Sequence, residues 1–337
     1  MSNANYEILN LESDPLVLGC ENKAAIEKFF NENQDFQGRN ISVVIPVGIA
    51  EIGEKAFYGC SSLTSITIPD LVTEIGEEAF YGCSSLTSIA IPDGVAAIGY
   101  SAFDGCSSLT SITIPEGVTE IGGAAFYGCE SLASITIPEG VTEIEGHAFW
   151  CCSSLASINI PGGVTEIGGE AFSYCSSLTS ITIPDGVAAI GYGAFEDCSS
   201  LTLVTIPESV TKIEGFTFAG CSSLASINIP EGVTEIGGYT FDGCSSLTSI
   251  TIPDLVTEIG EKAFCDCSSL ELVVIPDDPK FNKIDDEFND ESFREISELP
   301  DHVKLIKQSE CYRYVGGKEN FDRLSECAKQ ILNKMIA

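Results

Sequence analysis

The sequence predicts a solenoid of short parallel strands joined by turns, stacked as about ten rungs of 23 residues each. Three ladders of residues predict it. Proline recurs every 23 residues from Pro46 to Pro276, phenylalanine from Phe57 to Phe264, and cysteine from Cys60 to Cys267, with no insertion breaking the register. A fixed period of this length marks a repeat architecture, in which each unit buries its apolar side only against its neighbours. The 337 residues therefore read as one array with covered ends, not as two ordinary domains.

Each element of the unit has a physical reason, and Ser61 to Cys83 shows them in order. Leu63, Ile66 and Ile68 fit L-x-x-L-x-L, and the alternation about Ile66 and Ile68 predicts a short strand with its apolar side chains inward. Pro69 ends that strand, because proline has no N–H to continue a ladder. Val72 and Ile75 repeat the inward pattern on a second extended segment, and Gly76 opens a turn. Ala79, Phe80 and Cys83 complete the core of the rung. With strands about 4.8 Å apart, ten such rungs predict a rod or shallow arc on the order of 50 Å long.

The pattern L-x-x-I-x-I-P-x-x-V-x-x-I-G-x-x-A-F-x-x-C resembles the BspA-like, or Treponema pallidum type, class of leucine-rich repeats. The match covers roughly residues 40 to 276. This resemblance implies a leucine-rich-repeat solenoid of the repeat α/β class, with a parallel sheet on its concave side. Proteins of the class are commonly surface or secreted adhesion and interaction proteins of bacteria and protist parasites. Some leucine-rich-repeat proteins of intracellular bacteria act as effectors inside host cells.

A solenoid needs its two end cores covered. Residues 1–39 are read as an N-terminal cap, with a short amphipathic helix over 21–33 whose apolar side is Ala25, Ile26, Phe29 and Phe30. Asn40 to Pro46 is an atypical first rung. After Pro276 the unit decays, and residues 277–337 are read as a degenerate repeat followed by a helical cap. Its last helix, near Glu319 to Ile336, places Phe321, Leu324, Cys327, Ala328, Ile331 and Met335 on one face. Leu272 and Val274, apolar where other units carry hydroxyls, predict that the following segment docks there.

Charge narrows the partners. The formal net charge is −34, yet 44% of residues are hydrophobic, so the chain is not of the disordered class. Residues 41–276 hold three lysines against 29 acids. Such an excess repels phosphate backbones and anionic lipid, and points instead to a protein partner with a basic surface. Neither a conventional signal peptide nor a run of 18 apolar residues occurs, so no membrane insertion is expected and the chain is expected to begin in a cytosol, as a monomer.

Candidate chemistry mostly dissolves into the repeat. Ten of the fifteen cysteines share one repeat position, where a small buried hydrophobe is the simplest reading and a uniform ladder has poor bridging geometry. Cys151–Cys152 and Cys265–Asp266–Cys267 lack the spacing and histidines of a zinc site, so no metal or cofactor is expected. His147 and His302, the two histidines, lie in different regions, and His147 occupies a position that varies freely between units. No G-x-G-x-x-G unit, Walker A loop or H-E-x-x-H occurs, and no catalytic residue is assigned. Two rows of acids are read as solvated, one following proline (Asp70, Asp93, Glu116 and equivalents) and one on the second segment (Glu51, Glu74, Glu120 and equivalents).

Function is then sought where the units disagree. Tyr58, Tyr81, Tyr127 and Trp150 form an aromatic row after the core phenylalanine, which either offers interface anchors or packs against itself. Leu203, beside Thr205 on one strand, and Lys212 and Phe216 in the same unit break the hydroxyl and acidic pattern, and these four are candidate contacts. Ile91 to Tyr100 recurs unchanged at Ile183 to Tyr192, and Cys152 to Pro161 at Cys221 to Pro230, which suggests duplication of several units at once and a role in avidity or length. The sequence thus predicts a binding scaffold and not an enzyme, as an effector in a host cell or, alternatively, an adhesin exported without a cleaved signal.

Overall fold

A computed structural model describes residues 7–10, 41–45, 47–277, 299 and 302–307. The chain divides into two compact units, residues 1–176 and 177–337. In the first, the leading strands pair in parallel from Glu7–Asn10 through Ile41–Val44 to Leu63–Thr67, and from Ser88–Ala90 through Ser111–Thr113 and Ser134–Thr136 to Ser157–Asn159. The trailing strands are dipeptides, Glu51–Ile52, Glu74–Ile75, Ala97–Ile98 and Glu120–Ile121 in one ladder, and Glu143–Ile144 beside Glu166–Ile167. In the second unit Ser180–Thr182 pairs Leu203–Thr205, and Lys212–Ile213, Glu235–Ile236 and Glu258–Ile259 form a trailing ladder.

Within the regular repeats equivalent residues face one another, as Ile135 does Ile158 and Glu143 does Glu166. The 23-residue period dictates this, because each rung is a copy of the last. Between strands the turns close on repeated residues: the proline carbonyl accepts from the valine three residues on (Val72 N to Pro69 O, 3.1 Å), and the phenylalanine carbonyl from the cysteine N–H (Cys83 N to Phe80 O, 3.1 Å). One glycine is demanded by close approach. A Cβ on Gly99 would lie 2.6 Å from the Glu77 nitrogen of the preceding rung, so the rungs could not stack at their present spacing.

The core holds the repeated Leu, Ile, Val, Ala, Phe and Cys, with all ten ladder phenylalanines fully buried. Neighbouring rings in the first unit lie parallel at 5.3 to 5.5 Å, in the range of offset stacking. The cysteine ladder does more than fill space. Thiols along both units donate to the phenylalanine carbonyl of the preceding rung, as Cys106 Sγ does to Phe80 O at 3.3 Å, Cys152 Sγ to Phe126 O at 3.2 Å and Cys244 Sγ to Phe218 O at 3.2 Å. Burial pushes these thiols up, Cys106 to about 12, so they stay protonated donors and not nucleophiles. Among the described residues no disulfide is formed.

The ends add strands where they are described. Glu7–Asn10, in the expected N-terminal cap and ahead of its expected helix over 21–33, is a strand that extends the leading ladder. Lys304–Lys307, in the stretch expected to lose the repeat and turn helical, is a strand parallel to Leu272–Ile275. Lys304 faces Leu272 although it lies 32 residues further on and not 23, and the strand edge left open by Leu272–Ile275 pairs with it by backbone hydrogen bonds that need no repeat signature. Leu272 and Val274 are fully buried, as docking of a following segment requires, and Leu299, Val303 and Ile306 are buried as well. The helices expected over 21–33 and near 319–336 lie outside the described residues. Among the described residues no helix is long and apolar enough to cross a membrane.

Candidate interaction surface

The residue two before the ladder phenylalanine, and the one two after it, hold a left-handed backbone in every rung. Lys55, Glu78, Ser101, Ala124, His147 and Glu170 have φ between 49° and 58° at the first position, and Phe216, Tyr239 and Lys262 have 57° to 60°. The variability that marks His147 as permissive in the sequence is therefore one of side chain only. A left-handed residue turns the chain sharply, and these two turns flank the ladder phenylalanine at one edge of the rung. Non-glycine residues in this region cost of order 1 kcal/mol each, which the register of stacked neighbours enforces.

On this edge the first unit carries its aromatic row. Tyr58 and Tyr81 stack at 4.7 Å and 5°, and Tyr127 and Trp150 at 4.3 Å and 10°. Tyr174, one residue out of register, meets Trp150 edge-on at 5.3 Å, while Ser173 takes the row position and is buried. The row packs against itself and still reaches solvent at Tyr58, 36% exposed, and at the neighbouring Tyr174, 40% exposed. Between the two stacked pairs stands Asp104, half-buried, its carboxylate 3.3 Å from the Ser101 hydroxyl. Desolvation first, and then the nearby Glu78, raise Asp104 to about 6 against the opposing Ser101 hydrogen bond.

The second unit carries its rings at a different position. Phe216 stacks on Tyr239 at 4.7 Å and meets Tyr192 at 5.3 Å, tilted 42°, and the Lys262 ammonium lies 5.9 Å over the Tyr239 ring. Phe216 is thus joined to an aromatic cluster, and not to the tyrosine–tryptophan row. Leu203 is 58% exposed and Thr205 is also exposed, both on a leading strand. Lys212 sits on the trailing strand where the next two rungs carry Glu235 and Glu258, and bridges Glu214 at 3.2 Å and Glu235 at 3.0 Å, which raises its pKa. Its first effect is to relieve a ladder of like charges. Sequence reasoning missed Tyr100, Tyr174, Tyr192 and Tyr239; aligning the units at the two positions before the core alanine finds all but Tyr174.

The remaining polar pattern is largely structural. Thr64, Thr110 and Thr202 donate from Oγ1 to the equivalent carbonyl one rung back at 3.0 to 3.1 Å, so part of the hydroxyl carpet tightens the stack. The acids after proline are exposed at every described position, as solvated rows should be. His147 lies 3.5 Å from Glu170, an ion pair whenever the imidazole is protonated. Asp242, Cys265 and Asp266 bring their ligand atoms within 4.8 Å of one another, a grouping missed by spacing arguments. Two carboxylates and one thiol at the solvent boundary fall short of the four donors of a structural zinc site.

Stretches 32–153, 97–224 and 189–314 match the profile of the BspA type leucine-rich repeat region, in six copies. The chain belongs to the BspA-type leucine-rich repeat family. A leucine-rich repeat protein from Bacteroides ovatus is 30% identical over 81% of this chain and 85% of that one, with a TM-score of 0.49. A leucine-rich cell surface protein from Faecalibacterium prausnitzii is 30% identical over 84% and 90%, with a TM-score of 0.49. The pneumococcal vaccine antigen PcpA, 22% identical over 84% of this chain and 77% of its own, has a TM-score of 0.51 and shares the fold. No protein with a curated function matches the sequence. As a BspA-type solenoid the chain has the kind of fold that typically serves as a non-enzymatic repeat scaffold.

Proposed function

We propose that this BspA-type protein is a scaffold that binds a partner protein with a basic surface, through the ring-bearing edges of its leucine-rich repeats. One observation carries the reading. The ladders of Leu, Ile, Val, Phe, Cys and Pro are accounted for by stacking, and what varies between rungs is a set of partly exposed aromatic rings on an acidic surface. Rigid aromatic side chains are favoured anchors in protein interfaces. The net charge of −34 steers cationic partners toward them and makes the association salt-sensitive. Entry into a host cell as an effector is an extension of the same reading.

The test uses the full chain as bait, beside a variant carrying Tyr58→Ser, Trp150→Ser and Phe216→Ser, with the retained proteins identified and titrated. A basic protein bound by the native chain and at least tenfold more weakly by the variant is the result expected. Equal retention by both, or retention that survives only through residues 277–337, overturns the assignment of the repeats as the binding surface. Protease treatment of intact source cells separates the settings, because display outside the cell predicts cleavage and a cytosolic or translocated protein predicts protection.

A further inference from the structure

The aromatic row of the first unit is broken once between its rings. Tyr58 and Tyr81 fill two successive rungs and Tyr127 and Trp150 two more, but the rung between them carries Asp104 at the ring position. Backbone bonds hold these rungs in register on either side, Gly82 N to Asp104 O at 2.7 Å and Gly105 N to Tyr127 O at 2.8 Å. Two rungs separate the flanking rings, about 9.6 Å at ordinary strand spacing. One flat group stacked between two faces needs about 7 to 8 Å. The slot is thus one planar group wide, walled by Tyr81 and Tyr127, with a carboxylate at its base.

Charge says what kind of group. Asp104 is half-buried and has no ion-pair partner among the described residues. The nearest lysine in this edge, Lys55, is held by Glu54 at 2.9 Å and Glu78 at 3.2 Å. Asp104 acts on both walls, raising the pKa of Tyr81 as its largest cause and that of Tyr127 after desolvation. The second unit shows how such an edge takes a cation, because there the ring series Phe216–Tyr239 ends on the Lys262 ammonium, within cation–π distance. No lysine follows Tyr81 in its own row: the next rung carries Asp104 there, and Ser101 at the position equivalent to Lys262.

We propose that the Asp104 break is a receptor for one arginine side chain of a basic partner segment, its guanidinium stacked between Tyr81 and Tyr127 and paired with the Asp104 carboxylate. Arginine fits better than lysine, since its charge is carried on a flat fork that both stacks on rings and grips a carboxylate. The proposal rests on the scaffold reading and names one contact of it. It also explains why a row otherwise built to stack is interrupted by an acid at a cost in desolvation.

The test titrates a capped Gly-Arg-Gly peptide into the full chain with labelled tyrosines and follows the ring resonances, beside Asp104→Asn and Asp104→Tyr. Asp104→Tyr restores the residue type found at Tyr58, Tyr81 and Tyr127, so it is compatible with the fold. Saturable shifts centred on Tyr81 and Tyr127 are expected, weakened at least fivefold in Asp104→Asn and abolished in Asp104→Tyr, with the matched citrulline peptide inert. Shifts spread evenly over the tyrosines, equal binding of citrulline, or unchanged binding in Asp104→Tyr overturns the proposal. A captured protein partner whose affinity is unchanged by Asp104→Tyr removes this slot from the interface and leaves the scaffold reading standing. Arginine binding at the slot with no protein captured by the repeats does the reverse.

Discussion

The two units carry the same ladder at different spacings. Ring centroids of successive phenylalanines are 5.3 to 5.5 Å apart in residues 1–176. In residues 177–337 they are 5.7 Å for Phe195–Phe218, 5.9 Å for Phe218–Phe241 and 5.7 Å for Phe241–Phe264. The cause stands one residue before the ring. That residue is alanine throughout the first unit, but Thr217 and Thr240 replace it in the second, and both are fully buried. The widest step is the one between the two threonine-bearing rungs. Rung-to-rung bonds from the phenylalanine N–H follow, at 2.7 to 2.9 Å where the acceptor is an alanine carbonyl and 3.0 Å where it is that of Thr217 or Thr240. Each hydroxyl is satisfied, Thr217 by Glu214 O at 2.7 Å and Thr240 by Gly237 O at 2.6 Å, so the added bulk introduces no orphaned polar group. The difference teaches that a repeat tolerates a larger core residue by opening locally, and that ring stacking follows the backbone and does not set it.

Truncating a ladder ring is the largest way to probe this comparison. Phe126→Ala is expected to cost about 3 to 5 kcal/mol, as buried aromatic deletions do, and Phe218→Ala to fall at the low end because its neighbours already stand further off. Urea midpoints of the two variants check the order, and a larger loss for Phe218→Ala contradicts it. Next come the close-approach glycines, which both units share. Gly99→Ala, and Gly260→Ala against the Gly238 backbone, should each cost about 1 to 3 kcal/mol. A clear inequality between them would mean that one unit yields where the other does not.

Asp104 belongs to the first unit alone and gives a pH-dependent prediction. Its folded pKa, about 6, lies above the ordinary carboxylate value, so ionisation costs the folded state and native stability rises as pH falls from 7 toward 4. Glu78, Tyr81, Tyr127, Cys106 and Cys129 are the titratable groups that act on it or that it acts on. Asp104→Asn should therefore be more stable at pH 7 by about 1 kcal/mol after discounting for solvent screening of a half-exposed group. The advantage should vanish below pH about 4, where the unfolded carboxyl is also protonated. Thermal unfolding of both proteins across that range checks the sign.

The smallest effect in free energy is the most direct in structure. Thr217→Ala together with Thr240→Ala should close the Phe218–Phe241 separation from 5.9 Å toward the 5.3 to 5.5 Å of the first unit, with a stability change of about 1 kcal/mol or less. A crystal structure of the double variant that keeps 5.9 Å would place the cause elsewhere.

By itself the sequence determined the rung. Pro69, Phe80 and Cys83 recur with one period, and a period forces equivalent residues to stack, so strand order, core and solvated acidic rows follow without coordinates. It also located the places where units differ, including Trp150, Lys212 and Phe216. What it could not determine were contacts that join non-equivalent residues or depend on backbone conformation. The Cys106 thiol looked like a filler until its Phe80 carbonyl partner was seen. The left-handed turn at His147 is invisible in a position whose side chains vary without bias to glycine, because neighbouring rungs and not local propensity impose it. The strand Lys304–Lys307 carries no period to read and is recruited by the open edge of Leu272–Ile275. Asp104 was one more acid in an acidic chain, and only stacking set it between the faces of two tyrosines.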